Sequence, residues 1–225
     1  DQVLADEISR WPVVLGIAMG GKEDVAGVLP RPVFDIKALG DITYRYYVST
    51  GYSGNIDRLQ NVATAAGHFY PAIDIDGITR RVPMFMRYKD GFYEALSLAI
   101  ARTAIGNAPV RLQIDKPSKV GNTLEGWMRA IRIGESEIPL DRAMTAMVPY
   151  RAPGGFRYVS ATDVIRGTLP AEDLKDKIIL VGTSAQGLVD LRATPVQEDL
   201  PGVEVHAALV AGMLDGTIKN RPPET

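Results

Sequence analysis

Cysteine is absent from the 225 residues. That excludes disulfides, zinc–thiolate centres and a cysteine nucleophile, and it fits an oxidising compartment, where free thiols are a liability. Histidine is nearly absent as well, with two residues, so metal centres built on several imidazoles are not expected. A basic excess is missing: 25 Lys and Arg face 27 Asp and Glu for a net charge of −2, which argues against nucleic acid as a partner. No apolar run reaches the ~18–20 residues of a membrane span, and no signal peptide is recognisable. What is present is an ordinary globular balance, 46% hydrophobic and 23% charged. A chain of this length buries roughly 70–75% of its unfolded surface without staples.

The most informative run is Lys177-Ile178-Ile179-Leu180-Val181-Gly182-Thr183-Ser184-Ala185-Gln186-Gly187-Leu188-Val189-Asp190. Its β-branched opening predicts a strand over 178–181 buried on both faces, as in a parallel sheet covered by helices. The loop after such a strand's carboxyl end is where ligands sit in open α/β sheets. Gly182, Thr183, Ser184 and Ala185 are therefore candidate ligand-binding residues, with small side chains and amides able to form an anion nest. The spacing is neither a phosphate-binding Gly-Lys-Ser/Thr loop nor Gly-x-Ser-x-Gly, because Gln186 stands in the last glycine's place. A purely structural turn remains open.

Elsewhere the patterning predicts a helix over 3–8, a buried strand over 12–19, loop over 22–43, and a helix over 59–66 ending at Gly67. Asp76-Gly77 predicts a hairpin turn. Its second strand, over 80–88, is placed at an edge or bulge by Pro83. A helix is expected over 92–105, with Leu96, Ala99, Ile100 and Thr103 as its stripe. Short strands are read at 110–114, 127–133, 138–140 and 146–150, with loop over 116–126. Ser160 to Asp163 has capping-box spacing and opens a helix that Gly167 ends. Pro170 starts a single turn, and a last helix covers 204–214. Together these give an α/β fold with a mixed, largely parallel central sheet flanked by helices and a β-hairpin excursion.

Among polar residues, Asp74 and Asp76 share a strand face beside a turn, where turn formation explains Asp76 better than catalysis. Arg80 and Arg81 follow and offset their charge. Tyr44, Tyr46, Tyr47 and Tyr52 form an aromatic cluster that suits packing or a partner surface. His206 stands near a helix start and His68 follows a glycine; with no third ligand they do not define a metal site. His206 is read as either a hydrogen-bonded helix-start residue or a group that responds to pH or ligand. Nothing assembles a nucleophile, base and oxyanion hole, so neither a catalytic residue nor a cofactor is expected.

Four ordered segments resemble the type-two CHASE domain, CHASE2. They are Gly67-His68-Phe69 with Asp74-Ile75-Asp76-Gly77-Ile78-Thr79-Arg80-Arg81-Val82-Pro83-Met84, the helix-like run over 93–105, Val148-Pro149-Tyr150-Arg151, and Asp190-Leu191-Arg192-Ala193-Thr194-Pro195 with Pro201-Gly202-Val203-Glu204-Val205-His206-Ala207. The resemblance spans about Asp1 to Pro223. It implies an extracellular, non-catalytic sensor module of bacterial adenylate or guanylate cyclases, histidine kinases or serine/threonine kinases, standing on the periplasmic side of the inner membrane. It adds Asp190, Thr194 and His206 to the ligand-facing candidates. It also implies a single domain over 1–225, with 217–225 as a membrane-proximal tail and membrane anchors outside this sequence. Family members usually carry a further strand-helix-strand stretch before the segment that starts here at Asp1. A small ligand or periplasmic partner, and a homodimer in the parent receptor, are the implied associations. The competing expectations are a hydrolase or transferase using Ser184 or Thr183 with His206 and Asp190, and a dimerisation module with no ligand.

Overall fold

The computed structural model describes residues 1–20, 24–40, 42–115, 117–120, 122–183 and 190–219. The chain enters through helix α1 (Gln2–Ile8), whose Ala5 and Ile8 are buried while Val3 and Leu4 face solvent. The expected stripe of Val3, Leu4 and Ile8 is thus replaced by an i, i+3 pair one residue on. Strand β1 (Val14–Gly20) follows, then the short strands β2 (Val25–Ala26), β3 (Phe34–Asp35), β4 (Tyr47–Val48) and β5 (Gly51–Ser53).

Helix α2 spans only Asp57–Gln60, and β6 (Ala65–His68) occupies the end of the expected 59–66 helix. Sterics explain the difference. β6 runs parallel to β1 with Gly16 opposite Gly67, and a Cβ on Gly67 would lie 2.6 Å from the backbone nitrogen of Leu96. Gly67 is therefore a strand residue that admits a helix at close range, not a residue that ends one.

The hairpin expected at Asp76-Gly77 is present between β7 (Ala72–Ile73) and β8 (Thr79–Pro83), with Gly77 at a φ of 82°. The expected single strand over 80–88 is two, β8 and β9 (Phe85–Tyr88). Met84 separates them; its N–H donates to the Met144 carbonyl while its own carbonyl accepts from Ala95. Residues 92–94, expected as the start of a helix, belong to β10 (Gly91–Glu94) against β9, and α3 runs over Leu96–Ala104.

The middle of the chain is antiparallel: β11 (Arg111–Ile114), β12 (Ser118–Val120), β13 (Thr123–Glu125), β14 (Met128–Ile133) and β15 (Ser136–Pro139) pair among themselves, and β16 (Thr145–Met147) returns to pair with β8. β12 and β13 lie in the stretch read as loop. β14 sits between β11 and β15 and buries Met128, Ala130, Ile131 and Ile133. Helix α4 (Ala161–Arg166) matches its caps: the Ser160 side chain accepts from Thr162 N–H, and Gly167 ends it at a φ of 67°. After β17 (Leu191–Arg192) and β18 (Leu200–Pro201) comes α5 (Gly202–Leu214), the longest helix of the described residues.

The fold is α/β, with several small mixed sheets. Parallel pairing is found at β1–β6, β2–β5 and β4–β9, and the remaining named pairs are antiparallel. The sheet pairing is thus less parallel than expected. The expected strand over 178–181 is absent: residues 177–183 are in no strand and pair with no other segment among the described residues. Ile178, Ile179 and Val181 are 45%, 55% and 90% exposed. Their composition favours a strand, but a strand buried on both faces requires neighbours on both edges.

One large core joins the two halves of the chain. Phe85 and Phe92 are fully buried, with Phe34 stacked on Phe92 at 4.6 Å and edge-on to Phe85 at 5.0 Å. The same cluster takes in Leu98 of α3, Ile131 of β14 and Leu209 of α5. The tyrosines disperse instead of clustering: Tyr44 is buried in this core, while Tyr47 meets Tyr70 and Tyr52 meets Tyr88.

Gly67→Ala is expected to destabilise the chain by about 1–3 kcal/mol in urea unfolding, since backbone and not a flexible side chain blocks the methyl group. Gly20→Ala, where nothing lies within 4 Å, should stay within about 0.5 kcal/mol. Equal effects would contradict the packing account.

Candidate functional site

α5 can begin where it does because two glycines allow close approach. A Cβ on Gly202 would sit 2.5 Å from Oδ1 of Asp190, and one on Gly182 would sit 2.7 Å from Cβ of Val203. Asp190 therefore lies against the first turn of α5, and its carbonyl accepts from Gly202 N–H at 2.7 Å. A carboxylate there suits the partial positive charge of a helix start. The same carboxylate pairs with Arg192 at 3.0 Å.

A groove of about 1480 Å³ opens in front of this helix start. One wall is β1, with Val14, Leu15 and Gly16, together with Leu96, Ile100 and Thr103 of α3. The stripe expected on α3 thus lines the groove except for Ala99, while Leu98 and Ala101 face the core. The other wall is the extended segment 174–183, and Asp190, Arg192, Val203 and His206 close the end. The walls are largely apolar, with Asp190, Arg192 and His206 at the helix start and Lys175, Asp176 and Lys177 along the 174–183 wall, a mix common in ligand pockets.

Of the residues expected here, Gly182, Thr183, Asp190 and His206 all line the groove. Thr194 does not. Its hydroxyl donates to the Gln197 carbonyl at 2.7 Å and accepts from Gln197 N–H at 3.1 Å, so it holds a turn. Ser184 and Ala185 lie outside the described residues. The residue that sequence reasoning left out is Arg192, which supplies the cation at Asp190. Its position two residues after Asp190 was the available signal, but only the fold shows that both point to one place.

His206 is 6% exposed, and its buried Nδ1 has no hydrogen-bond partner among the described residues. Burial, followed by the nearby Arg192 charge, holds its pKa down at about 4. His68 is fully buried; its Nδ1 accepts from Tyr70 N–H at 3.3 Å and its Nε2 is unpartnered. Burial, and then the neighbouring His206, lower its pKa to about 3. The two histidines of the chain are thus electrostatic neighbours, and both are neutral at physiological pH. Two residues before His206, the buried Glu204 accepts from Tyr158 Oη at 2.5 Å, and burial together with that carboxylate raises the Tyr158 pKa.

The charge cluster at Asp74 and Asp76 is an ion-pair lattice. Arg80 reaches both at 2.9 and 2.7 Å, and Arg81 bridges Asp74 and Asp141. Arg80 holds the Asp76 carboxyl down at about 2. These groups are saturated by one another and fix the β7–β8 hairpin against the loop before β16.

No hydroxyl or carboxylate hydrogen-bonds to His206 among the described residues, and Asp190 is engaged by Arg192 instead. A hydroxyl–histidine–carboxylate relay is therefore not assembled from the described residues. No group of three or more His, Asp or Glu positioned for a metal occurs among them either.

The fold and groove define an α/β module with a pocket at a helix start. The model of the CHASE2 domain family matches residues 1–225. The chain belongs to the CHASE2 domain family, a family of extracellular sensory domains of signalling receptors, and no enzymatic activity is expected of it. No curated protein and no protein of solved structure matches it.

The buried histidines generate a pH dependence of stability. Both folded pKa values lie below the unfolded value of 6.5, so the unfolded chain binds more protons in acid. Their contribution is complete above pH 6.5 and is lost as pH falls toward about 4 and about 3, at up to about 1.4 kcal/mol per pH unit for each. His206→Phe should flatten the wild-type loss of stability below pH 6.5 by the share of one histidine, measured by urea unfolding across a pH series. An unchanged slope would contradict a neutral, buried His206.

Proposed function

We propose that this chain is the non-catalytic extracytoplasmic sensory domain of a bacterial transmembrane receptor, and that the groove in front of α5 receives its stimulus. The observation that carries the reading is the family match over residues 1–225. In this reading the output module is an adenylate or guanylate cyclase or a kinase outside this sequence. The receptor stands in the inner membrane with this domain on the periplasmic side. This reading places its anchors outside the sequence; no helix of the described residues is long and apolar enough to cross a membrane. The domain is a single unit over 1–225, with 217–225 as the membrane-proximal tail, and two copies pair in the receptor.

The mechanism is a population shift. A small ligand or periplasmic partner that prefers one arrangement of the groove biases the equilibrium between arrangements by its differential affinity. α5 is suited to report this, because its first two turns bring Gly202, Val203 and His206 to the groove and its far end leads to the C-terminal residues. Gly182 and Thr183 on the facing wall, with Asp190, are the proposed ligand contacts. Ser184 and Ala185 continue that segment.

A thermal-shift screen of small anions, nucleotides and osmolytes tests the groove. A ligand at a hundredfold excess over its Kd stabilises by about 2.7 kcal/mol. The expected outcome is a saturable shift that Thr183→Trp abolishes, Thr183 being exposed on the groove wall. In the intact receptor, removal of residues 1–225 should change cyclase or kinase output. Output indifferent to that removal would overturn the sensory reading.

A further inference from the structure

A second cavity, of about 790 Å³, lies on the other flank of α3. Its polar lining includes Gln60 and Asn61 at the end of α2, Glu94 at the end of β10, and Arg102 and Thr103 on α3. That volume falls in the range of small-molecule sites.

The hydrogen bonding in this wall is incomplete on both sides. Glu94 is 6% exposed, and its Oε1 accepts from Arg102 Nη1 at 2.6 Å while its Oε2 has no partner among the described residues. Thr103 Oγ1 is likewise buried without a partner. The Glu94 oxygen needs a donor and the Thr103 hydroxyl can accept or donate, and a buried polar atom left unpaired is costly. Burial raises the Glu94 pKa and Arg102 works against the rise, so the carboxylate depends on cationic donors nearby. Donors are also in excess. Arg102 spends Nε–H on the Ala108 carbonyl at 2.7 Å and one Nη1–H on Glu94, and its remaining N–H groups have no partner among the described residues. Gln60 uses Oε1 to accept from Asn55 at 3.1 Å, and its Nε2 donates to nothing among the described residues.

We propose that this cavity binds a small zwitterion of the α-amino-acid class, its ammonium on Glu94 and Thr103 and its carboxylate on Arg102 and Gln60. A pure cation would leave the guanidinium and amide donors unused, and a pure anion would leave the Glu94 and Thr103 oxygens unpaired. A molecule carrying both ends satisfies both sets. Glu94 Oε2 is sealed from solvent, so a ligand ammonium reaches it through a rotamer change of the Glu94 side chain. The site is distinct from the groove at α5 apart from Thr103, which lines both, and it does not rest on the sensory reading.

Isothermal titration of the purified chain with each of the common L-amino acids tests the site. For any amino acid that binds, its decarboxylated amine and its deaminated acid are titrated alongside. The expected result is saturable binding of at least one amino acid, with neither single-charge analogue binding. Glu94→Gln should weaken that binding roughly tenfold to hundredfold, the range for a charged hydrogen bond. Should Glu94→Gln fail to fold, Thr103→Val and the analogue pair carry the test on folded protein. No binding by any amino acid, equal binding by an analogue, or binding indifferent to both substitutions would overturn the proposal.

Discussion

The close contact of α3 with the β1–β6 pair is the constraint on which the rest of the structure depends. Gly16 and Gly67 stand side by side in the parallel ladder, and the start of α3 occupies the space that a Cβ on Gly67 would need. With α3 at that depth, Leu98 and Ala101 reach the main core and pack with α5 residues such as Leu209. Ala99 and Arg102 then face one cavity, and Leu96 and Ile100 the other. A single helix so placed forms part of the wall of both candidate sites. Its position is set by backbone proximity, which tolerates no repacking by side-chain rotation.

Electrostatics divides the molecule into saturated and unsaturated regions. Around the β7–β8 hairpin every carboxylate meets a guanidinium, and Asp141 adds two backbone N–H bonds and the Thr145 hydroxyl. Such a lattice fixes a loop and leaves nothing for a ligand. Orphaned polar atoms instead include Glu94, Ser97 and Thr103 on and before α3, and His68 and His206. Buried polar atoms are normally paired, and of these residues Glu94, Thr103 and His206 line a cavity, while Ser97 and His68, like the unpaired Tyr44 Oη and Trp127 Nε1, lie elsewhere in the core.

Features governed by local chemistry were legible in the sequence. Ser160 and Gly167 bounded α4 because a cap is a property of one or two residues, and Asp76-Gly77 marked its turn for the same reason. The strand at β1 followed from its apolar run. Features decided by neighbours were not legible. Ala65 to His68 has helix-compatible composition, yet it pairs with β1 because only small residues fit beneath α3. Phe92 to Glu94 continues an apolar helical pattern, yet β9 takes it as a partner. The run at 178–181 carries every residue-level sign of a buried strand and lacks a neighbour among the described residues. At the site, Gly182, Thr183, Asp190 and His206 converge as expected, whereas Thr194 serves a turn and Arg192 was identified only by its contact with Asp190.

The central claim is a rigid α3–α5 core carrying an open groove whose outer wall, residues 174–183, is held by few contacts. Native-state hydrogen exchange reads this directly, because protection follows local opening free energy. The account predicts the slowest exchange at amides of β6, α3 and α5, and fast exchange across 178–183. Protection of 178–183 equal to that of α3 would mean that this segment is a fixed, paired strand and that the groove is closed, which would contradict the account.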